Sequence, residues 1–395
     1  MSERARIILK SGKDQSLRRF HPWVFSGAIK KIQGVAREGD LVDLYDNKDE
    51  YLATGHYQDG SIAVRVLSFE RDDTGQEFWD KRILEAWRLR EKLGLVADPG
   101  TNVFRWVNAE GDGLPGLIID YYAGTVVMQM HSVGMARNLG AIRDAIVKVE
   151  EAGIHTLYNK SGTTLPDKPG LDRENSFLLG GESSGVVLEH GFRFRVNWAE
   201  GQKTGFFVDQ RENRKLVGHW AGGRKVLNMF AYTGGFSVYA LGGGAERVHS
   251  VDSSGKAVDL TRENIELNFP GHPGHEAFAV DAFTYFQEMK ERYDLVILDP
   301  PAFAKHQNVL NNALQGYKRL NQKAFESIEP GGILFTFSCS QAVSRENFRK
   351  SVFAAAANAR RNVRILHQLT QPADHPISLF HPEGEYLKGL VLEVV

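Results

Sequence analysis

The chain has a single cysteine, Cys339, at the end of an apolar run, Ile333-Leu334-Phe335-Thr336-Phe337-Ser338, that is entered from Glu329-Pro330-Gly331-Gly332. A run of this kind after a Pro-Gly turn reads as a buried parallel strand. In open α/β sheets ligands sit at the carboxyl ends of the strands, so a thiol there is placed for chemistry. Taken alone, Cys339 could equally be a small core hydrophobe. A second run, Tyr293-Asp294-Leu295-Val296-Ile297-Leu298, tips the balance because it stops at Asp299-Pro300-Pro301. Proline cannot continue a ladder and holds the residue before it extended, which pins Asp299 at a strand end with a stiff loop behind it. Such a loop offers a carboxyl and backbone carbonyls to a planar ring. A thiol on the adjacent strand end adds a nucleophile for covalent catalysis.

Other strand ends carry acids as well. Residues 225–230 read as a first strand that breaks at Ala231-Tyr232-Thr233-Gly234-Gly235, residues 247–252 as a second ending at Asp252, and residues 277–281 as a third ending at Asp281. Two glycines let a turn approach a ligand closely, and an acid ending the second strand can accept hydrogen bonds from ribose hydroxyls. Asp252 lies 24 residues past Asn228, a spacing that suits a nicotinamide or an adenosyl cofactor. The turn discriminates: Tyr232-Thr233-Gly234-Gly235-Phe236 is not G-x-G-x-x-G, so no pyrophosphate cradle is evident. Asp281, before Ala282, is placed for an adenine amino group. Asp252, Asp281 and Asp299 at consecutive strand ends resemble the S-adenosylmethionine site of class I methyltransferases.

The elements behind these residues fall into three regions. From residue 193 onward strands alternate with helices, the signature of a doubly wound α/β domain. Its strands continue with 363–369 and 388–395, and seven strands with a late pair fit a methyltransferase sheet better than a six-stranded dinucleotide sheet. Residues 1–72 alternate short apolar runs with turns and read as a small β-rich domain. Between them, residues 73–192 form a central α+β domain after a linker at Asp72-Asp73-Thr74-Gly75, with a helix over 77–93, strands over 104–107, 117–122 and 126–130, and a helix near 135–151. Glu110-Gly111-Asp112-Gly113-Leu114-Pro115-Gly116 is a turn whose glycines answer to backbone geometry. Residues 163–176 read as a mobile loop.

Charge is balanced overall, at −1 with a pI near 6.9, but not locally. Residues 1–38 hold nine lysines and arginines, Arg18 and Arg19 among them, against three acids, a net of +6. A local excess of this kind favours a polyanion, and His21, Trp23 and Phe25 beside it could stack bases. Charged residues at the start without an apolar run indicate no signal peptide. No stretch approaches the roughly 20 apolar residues of a membrane helix. One cysteine excludes an internal disulfide and any multi-cysteine zinc or iron–sulfur site. No metal site is read, and the chain is expected to be cytoplasmic.

His21-Pro22-Trp23-Val24-Phe25-Ser26-Gly27 resembles the opening of a PUA domain of RNA-modifying enzymes. Asn228 to Phe236, Asp299-Pro300-Pro301-Ala302-Phe303, Gly316-Tyr317-Lys318, Phe337-Ser338-Cys339-Ser340 and Ala373-Asp374-His375-Pro376 resemble the RlmI-like family of 23S rRNA 5-methylcytosine methyltransferases. The likeness runs nearly end to end. It takes in an EEHEE-type central domain and the run Gln202 to Arg211, similar to a family segment that closes over the cofactor. The chain departs from the family at Ala302, where relatives often carry lysine, so any role of that lysine is lost or passes to Lys305.

The resemblance implies S-adenosyl-L-methionine as cofactor, held by Gln210, Phe230, Tyr232, Thr233, Gly234, Gly235, Asp252, Ser253, Asp281, Ala282 and Asp299. It implies Cys339 as nucleophile toward cytosine carbon 6 and Asp299 as partner of the ring. Pro300, Pro301, Phe303, Tyr317, Lys318 and His375 would meet the target base, with Lys318 or His375 helping to activate the thiol, and Arg18, Arg19, His21 and Trp23 would meet RNA. Partners expected are 23S rRNA or a large-subunit assembly intermediate, and a second copy of the chain as a homodimer. Three alternatives stand beside this: a same-fold methyltransferase acting on a base nitrogen, a non-catalytic RNA-binding or assembly factor, and a nicotinamide oxidoreductase, the last disfavoured by the missing phosphate loop.

Overall fold

The computed structural model describes residues 4–71, 74–303 and 309–395, so Asp72 and Asp73 of the expected linker, and Lys305, lie outside the described residues. The chain divides into two compact units. The first comprises Met1–Ser184, Asn197–Gly205 and Ala373–Gly384, the second Gly185–Val196, Phe206–Pro372 and Glu385–Val395. The sequence reading divides the chain into three regions, at 72/73 and at 192/193. The chain passes between units several times, and the segment 373–384 belongs with the first.

The first unit holds two sheets. Strands β1 (Ala5–Leu9), β2 (Trp23–Phe25), β3 (Ile29–Gln33), β4 (Leu41–Tyr45), β5 (Tyr51–Tyr57) and β6 (Ile62–Ser68), with the short helix α1 (Gln15–Arg18), form a sheet of order β2-β6-β5-β4-β1-β3. Alternation turns Ile7, Leu9, Val42, Leu44, Val64 and Val66 into one core. Helix α2 (Gln76–Lys92) then precedes β7 (Val103–Asn108), β8 (Leu117–Tyr122) and β9 (Thr125–Met130). Helices α3 (Val133–Arg137) and α4 (Leu139–Val147) lead to β10 (Thr156–Asn159) and β11 (Ser176–Leu179), giving the order β11-β10-β9-β8-β7. Three strands precede the helices instead of the two of an EEHEE pattern, and the single helix expected near 135–151 breaks at Asn138.

Segment 373–384 is fastened inside this unit by a fully buried cation. Arg90 forms a two-pronged pair with Asp112 at 2.6 and 2.8 Å and donates to the Asp374 carbonyl at 2.6 Å. The Arg105 amide donates to the Asp374 carboxylate. Gly111, in the turn assigned no chemistry, is glycine for this approach: a Cβ there would lie 1.9 Å from the Pro376 carbonyl oxygen.

His56 on β5 is buried, stacked on Trp79 and covered by Gly134, whose added Cβ would come within 2.2 Å of the imidazole. Burial pulls its pKa down to about 4. The folded chain therefore stays neutral there while the unfolded chain takes up a proton near pH 6.5, so stability is lost as pH falls from about 6.5 toward 4. The loss from this group alone is up to about 3 kcal/mol. Urea melts at pH 7 and pH 4.5 should show a smaller drop for His56→Gln than for the wild type.

The second unit begins with the hairpin β12 (Ser184–Glu189) and β13 (Phe192–Asn197) and continues α5 (Arg211–Trp220), β14 (Lys225–Met229), α6 (Gly235–Gly242), β15 (Arg247–Asp252), α7 (Gly255–Asn268), β16 (His275–Ala279) and α8 (Ala282–Glu288). It closes with β17 (Tyr293–Leu298), α9 (Leu310–Ser327), β18 (Ile328–Ser338), α10 (Arg345–Asn358), β19 (Val363–Leu369) and β20 (Lys388–Val394). The seven strands run β16-β15-β14-β17-β18-β20-β19, with β20 antiparallel to both neighbours and the other six pointing the same way. The chain thus leaves β14 on one side and returns on the other. That reversal opens a crevice beyond the carboxyl ends of β14, β15 and β17, where ligands bind in such sheets.

Two strand ends differ from the sequence reading. The Glu329-Pro330-Gly331-Gly332 turn is a bulge inside β18: Tyr293 pairs with Ile328 and Leu295 with Ile333, the extra residues bowing out at Gly331 with φ of 80°. β18 ends at Ser338, leaving Cys339 as the first residue beyond it. β16 ends at Ala279, so Asp281 stands off the strand. Among the described residues no helix is long and apolar enough to cross a membrane.

Candidate active site

The turn after β14 holds three residues in the left-handed region, Phe230 at φ 60°, Tyr232 at 48° and Gly234 at 75°. For non-glycine residues this costs on the order of 1 kcal/mol or more, and such strain gathers at ligand sites. Side chains from neighbouring elements hold it in place. The Tyr232 amide donates to Asp252 at 3.0 Å, Thr261 donates to the Tyr232 carbonyl at 2.8 Å, and Asn264 donates to the Thr233 carbonyl at 2.9 Å. Gly234 could not carry a side chain, since a Cβ would lie 2.7 Å from the Thr261 methyl. Gly235 opens α6.

Asp252 ends β15 and accepts from two backbone amides, Tyr232 at 3.0 Å and Ser254 at 2.9 Å. A carboxylate has about four acceptor positions, so this fixed group retains capacity for hydroxyls. Ser253 beside it is exposed, and the cap of α7 is Ser254. Asp281 caps α8, accepting from the Phe283 and Thr284 amides at 2.8 and 3.2 Å. Its first task is therefore helix capping. Ala282 behind it is buried. A strained turn, a carboxylate fixed beside it and a crevice at the sheet's reversal form a donor set that fits an adenosyl cofactor.

Asp299 follows β17 and accepts from Gln210 Nε2 at 3.1 Å. Gln210, buried, in turn accepts from Asn213 at 2.6 Å. Asn213 escaped the sequence reading because its role comes only from that contact. Cys339 is half-buried, with Sγ 3.9 Å from the Pro300 carbonyl oxygen. Thr336 pairs with Leu298, so the residues that follow in the two strands run on side by side and bring the thiol to the Asp-Pro-Pro loop.

Tyr317 does not serve the base as expected. It is fully buried on α9, packs on Phe303 at 4.7 Å, and its hydroxyl meets the hydroxyls of Ser338 and Ser340 at 3.0 Å each. Burial pushes its pKa up, so it is a neutral brace on both sides of Cys339 and not a stacking platform. Phe303 and Lys318 are half-buried, Pro301 exposed and Pro300 buried. His375 belongs to the first unit, where its ring is buried with Nδ1 3.3 Å from Asp374. A cation that the sequence reading missed is Lys388, buried at the start of β20, whose ammonium donates to the Ser340 carbonyl at 2.7 Å.

In the first unit the expected RNA residues divide. Arg18 is committed to Asp14, Asp46 and Glu50, which offset its charge, and Glu50 and Asp14 hold its pKa up. The Trp23 indole donates to Glu110 at 2.8 Å and packs on His381 at 4.3 Å. His21 lies 3.5 Å from Glu383, which also meets His381 at 3.1 Å. Arg19, Lys30, Lys31, Phe20 and Phe25 are exposed.

The profile of S-adenosylmethionine-dependent methyltransferases matches residues 109–379, and that of PUA-like domains matches residues 7–69. The chain is 40% identical over 397 aligned positions to ribosomal RNA large subunit methyltransferase I of Alteromonas mediterranea, covering 99% of each. It is 39% identical to the protein of that name from Aeromonas hydrophila, covering 98% of this chain and 99% of the other. A methyltransferase crystal structure in complex with SAH superposes with a TM-score of 0.86 at 23% identity, covering 98% of this chain and all of that one, a likeness of fold. The cofactor is S-adenosylmethionine, and the chain belongs to the ribosomal RNA large subunit methyltransferase I family, a PUA-like domain joined to an S-adenosylmethionine-dependent methyltransferase.

Proposed function

We propose that this chain methylates carbon 5 of a cytosine in large-subunit (23S) ribosomal RNA, through a covalent adduct between Cys339 and the base, in the cytoplasm. The carrying observation is the approach of Cys339 Sγ to the Pro300 carbonyl at 3.9 Å, which sets a thiol beside the Asp299-Pro300-Pro301 loop. The relatives' name supports ribosomal RNA as the substrate class.

Bound S-adenosylmethionine supplies an electrophilic methyl group. The turn Phe230 to Gly235 and the Asp252 carboxylate would hold its adenosyl part, and Gln210 orients Asp299 at the mouth of the site. Carbon 5 of cytosine is a poor nucleophile. Addition of the Cys339 thiolate to carbon 6 forms a C–S bond and moves the ring's electron pair to carbon 5, which then takes the methyl. A hydrogen bond from the Asp299 side, protonated or relayed, would steady the charge that develops at nitrogen 3. Loss of the carbon 5 proton restores the double bond and expels the thiolate, so each turnover releases one proton. The target base must leave its stack, at a cost of a few kcal/mol that is lower in loops. In the first unit the RNA contacts fall to exposed Arg19, Lys30, Lys31 and Phe25, since Arg18 is neutralised.

Trapping on RNA containing 5-fluorocytosine tests this, because fluorine at carbon 5 cannot depart as a proton and the adduct persists. The wild type should form a covalent complex in the presence of S-adenosylmethionine and Cys339→Ala should form none. Methyl transfer that survives in Cys339→Ala, with no adduct in the wild type, would replace this reading with a nitrogen methyltransferase.

A further inference from the structure

A cysteine thiol ordinarily titrates near pH 8.5 and leaves few thiolates at neutral pH, so a covalent mechanism needs a nearby cation. Residues of the second unit supply one. Lys388 opens β20 directly opposite Ser338, and its ammonium reaches forward to the carbonyl of Ser340 at 2.7 Å. The side chain starts across from residue 338 and ends on the carbonyl of residue 340, and the charge of Cys339, between those two, acts on the ammonium.

Lysine is rarely buried without an anion, because desolvating an ammonium is costly. Lys388 is 3% exposed, and among the described residues its ammonium forms no ion pair with a carboxylate. The charged groups facing it are Cys339, Glu385 and Arg345. Arg345 disfavours the ammonium, Glu385 favours it but is itself paired with Arg345, and the thiolate of Cys339 favours it more than Glu385 does. Tyr317, bridging Ser338 and Ser340, is kept neutral by burial and brings no charge.

We propose that Lys388 is the positioning cation that holds the Cys339 sulfur as a thiolate before attack, a role that rests on the covalent reading above. Burial draws the Lys388 pKa down to about 8 and the thiolate acts against that shift. Interaction between two titrating groups is reciprocal, so the ammonium lowers the thiol's proton affinity by as much as the thiolate raises the lysine's. Once the sulfur is tied up in the adduct, its charge is gone and the buried ammonium loses that support; expulsion of the thiolate restores the pair.

Because Cys339 is the only cysteine, alkylation by iodoacetamide reads its ionisation without RNA or cofactor. Rates followed by intact mass from pH 5 to 10 would be compared among wild type, Lys388→Met, which keeps the length of the side chain, and Lys388→Arg, which keeps its charge. The expected result is a midpoint about one unit or more higher in Lys388→Met, close to a tenfold loss of thiolate at neutral pH, with Lys388→Arg near wild type. An unchanged midpoint in Lys388→Met would overturn the proposal, as would an equal shift in both variants, which marks a packing effect. A shifted midpoint in a protein that forms no 5-fluorocytosine adduct would keep the ion pair and remove the covalent mechanism, so the two failures are distinct.

Discussion

Under the proposed covalent mechanism, alanine at position 339 should lower methyl transfer by on the order of a thousandfold or more while leaving S-adenosylmethionine binding intact, because the step it removes would have no substitute in the site. A thousandfold corresponds to about 4 kcal/mol of transition-state stabilisation, the scale expected on deleting a covalent route whose alternative is direct attack by an unactivated ring carbon. Tyr317 is locked between Ser338 and Ser340 and held neutral, so it cannot stand in as nucleophile. The fixed turn after β14 and the Asp252 carboxylate do not touch Cys339, and removing the sulfur leaves the Gln210–Asp299 bond in place, so calorimetry should give the same affinity for both proteins. Single-turnover rates on RNA with the cofactor saturating separate this from a binding defect. Cys339→Ser should fall nearly as far, since a hydroxyl is seldom ionised beside a lysine. A loss below tenfold in Cys339→Ala would mean that the sulfur is a spectator.

Much of the seven-stranded sheet was legible because parallel strands buried on both faces read as apolar runs, and β15 and β17 fall where the runs 247–252 and 293–298 place them; β19, an exposed edge strand, also falls on its run at 363–369. Strand β3 left no such signal. It is an edge strand, Ile29-Lys30-Lys31-Ile32-Gln33, whose two lysines guard a free edge and hide its period. β5 escaped for a different reason: it is buried without alternating, and Gly55 is needed where a Cβ would lie 2.3 Å from the Arg65 carbonyl oxygen. In the candidate site, the strand-end residues Cys339, Asp299 and Asp252 could be named because proline and glycine punctuate the strands. Lys388 could not, since only the register of β20 against β18 brings it to Ser340. His375 illustrates the converse. Its place in the chain between the last strands suggested the catalytic sheet, but Arg90, 284 residues away, fixes its neighbour Asp374 in the first unit.

Glu189→Ala should be the most damaging single change to the second unit. Glu189 on β12 is fully buried and forms a two-pronged pair with Arg214 on α5 at 2.7 and 2.6 Å, and it also accepts from the Tyr239 hydroxyl at 3.0 Å. Coulombic attraction and hydrogen bonding to Glu189 hold the Arg214 pKa up against complete burial. Truncating the acid strands a guanidinium in the core, a loss of about 3 to 5 kcal/mol. For a unit of this size that lowers the melting temperature by roughly 6 to 20 °C. The damage should reach the cofactor site as well. Arg214 donates to the Phe207 carbonyl at 2.9 Å and lies over the Phe206 ring, and Phe207 packs on Tyr232 of the strained turn. A guanidinium without its acid is free to leave that carbonyl, so S-adenosylmethionine affinity should fall along with stability. Arg214→Met alone fares no better, since it leaves the carboxylate buried with one hydroxyl donor. Removing both charges in Glu189→Leu/Arg214→Met should recover much of the stability, because replacing a buried pair by apolar groups costs far less than breaking it. It should not recover cofactor affinity, which depends on the Arg214 bond to Phe207. Thermal melts and calorimetry on the four proteins of that cycle decide the matter, and equal recovery of both properties would place the pair in packing alone.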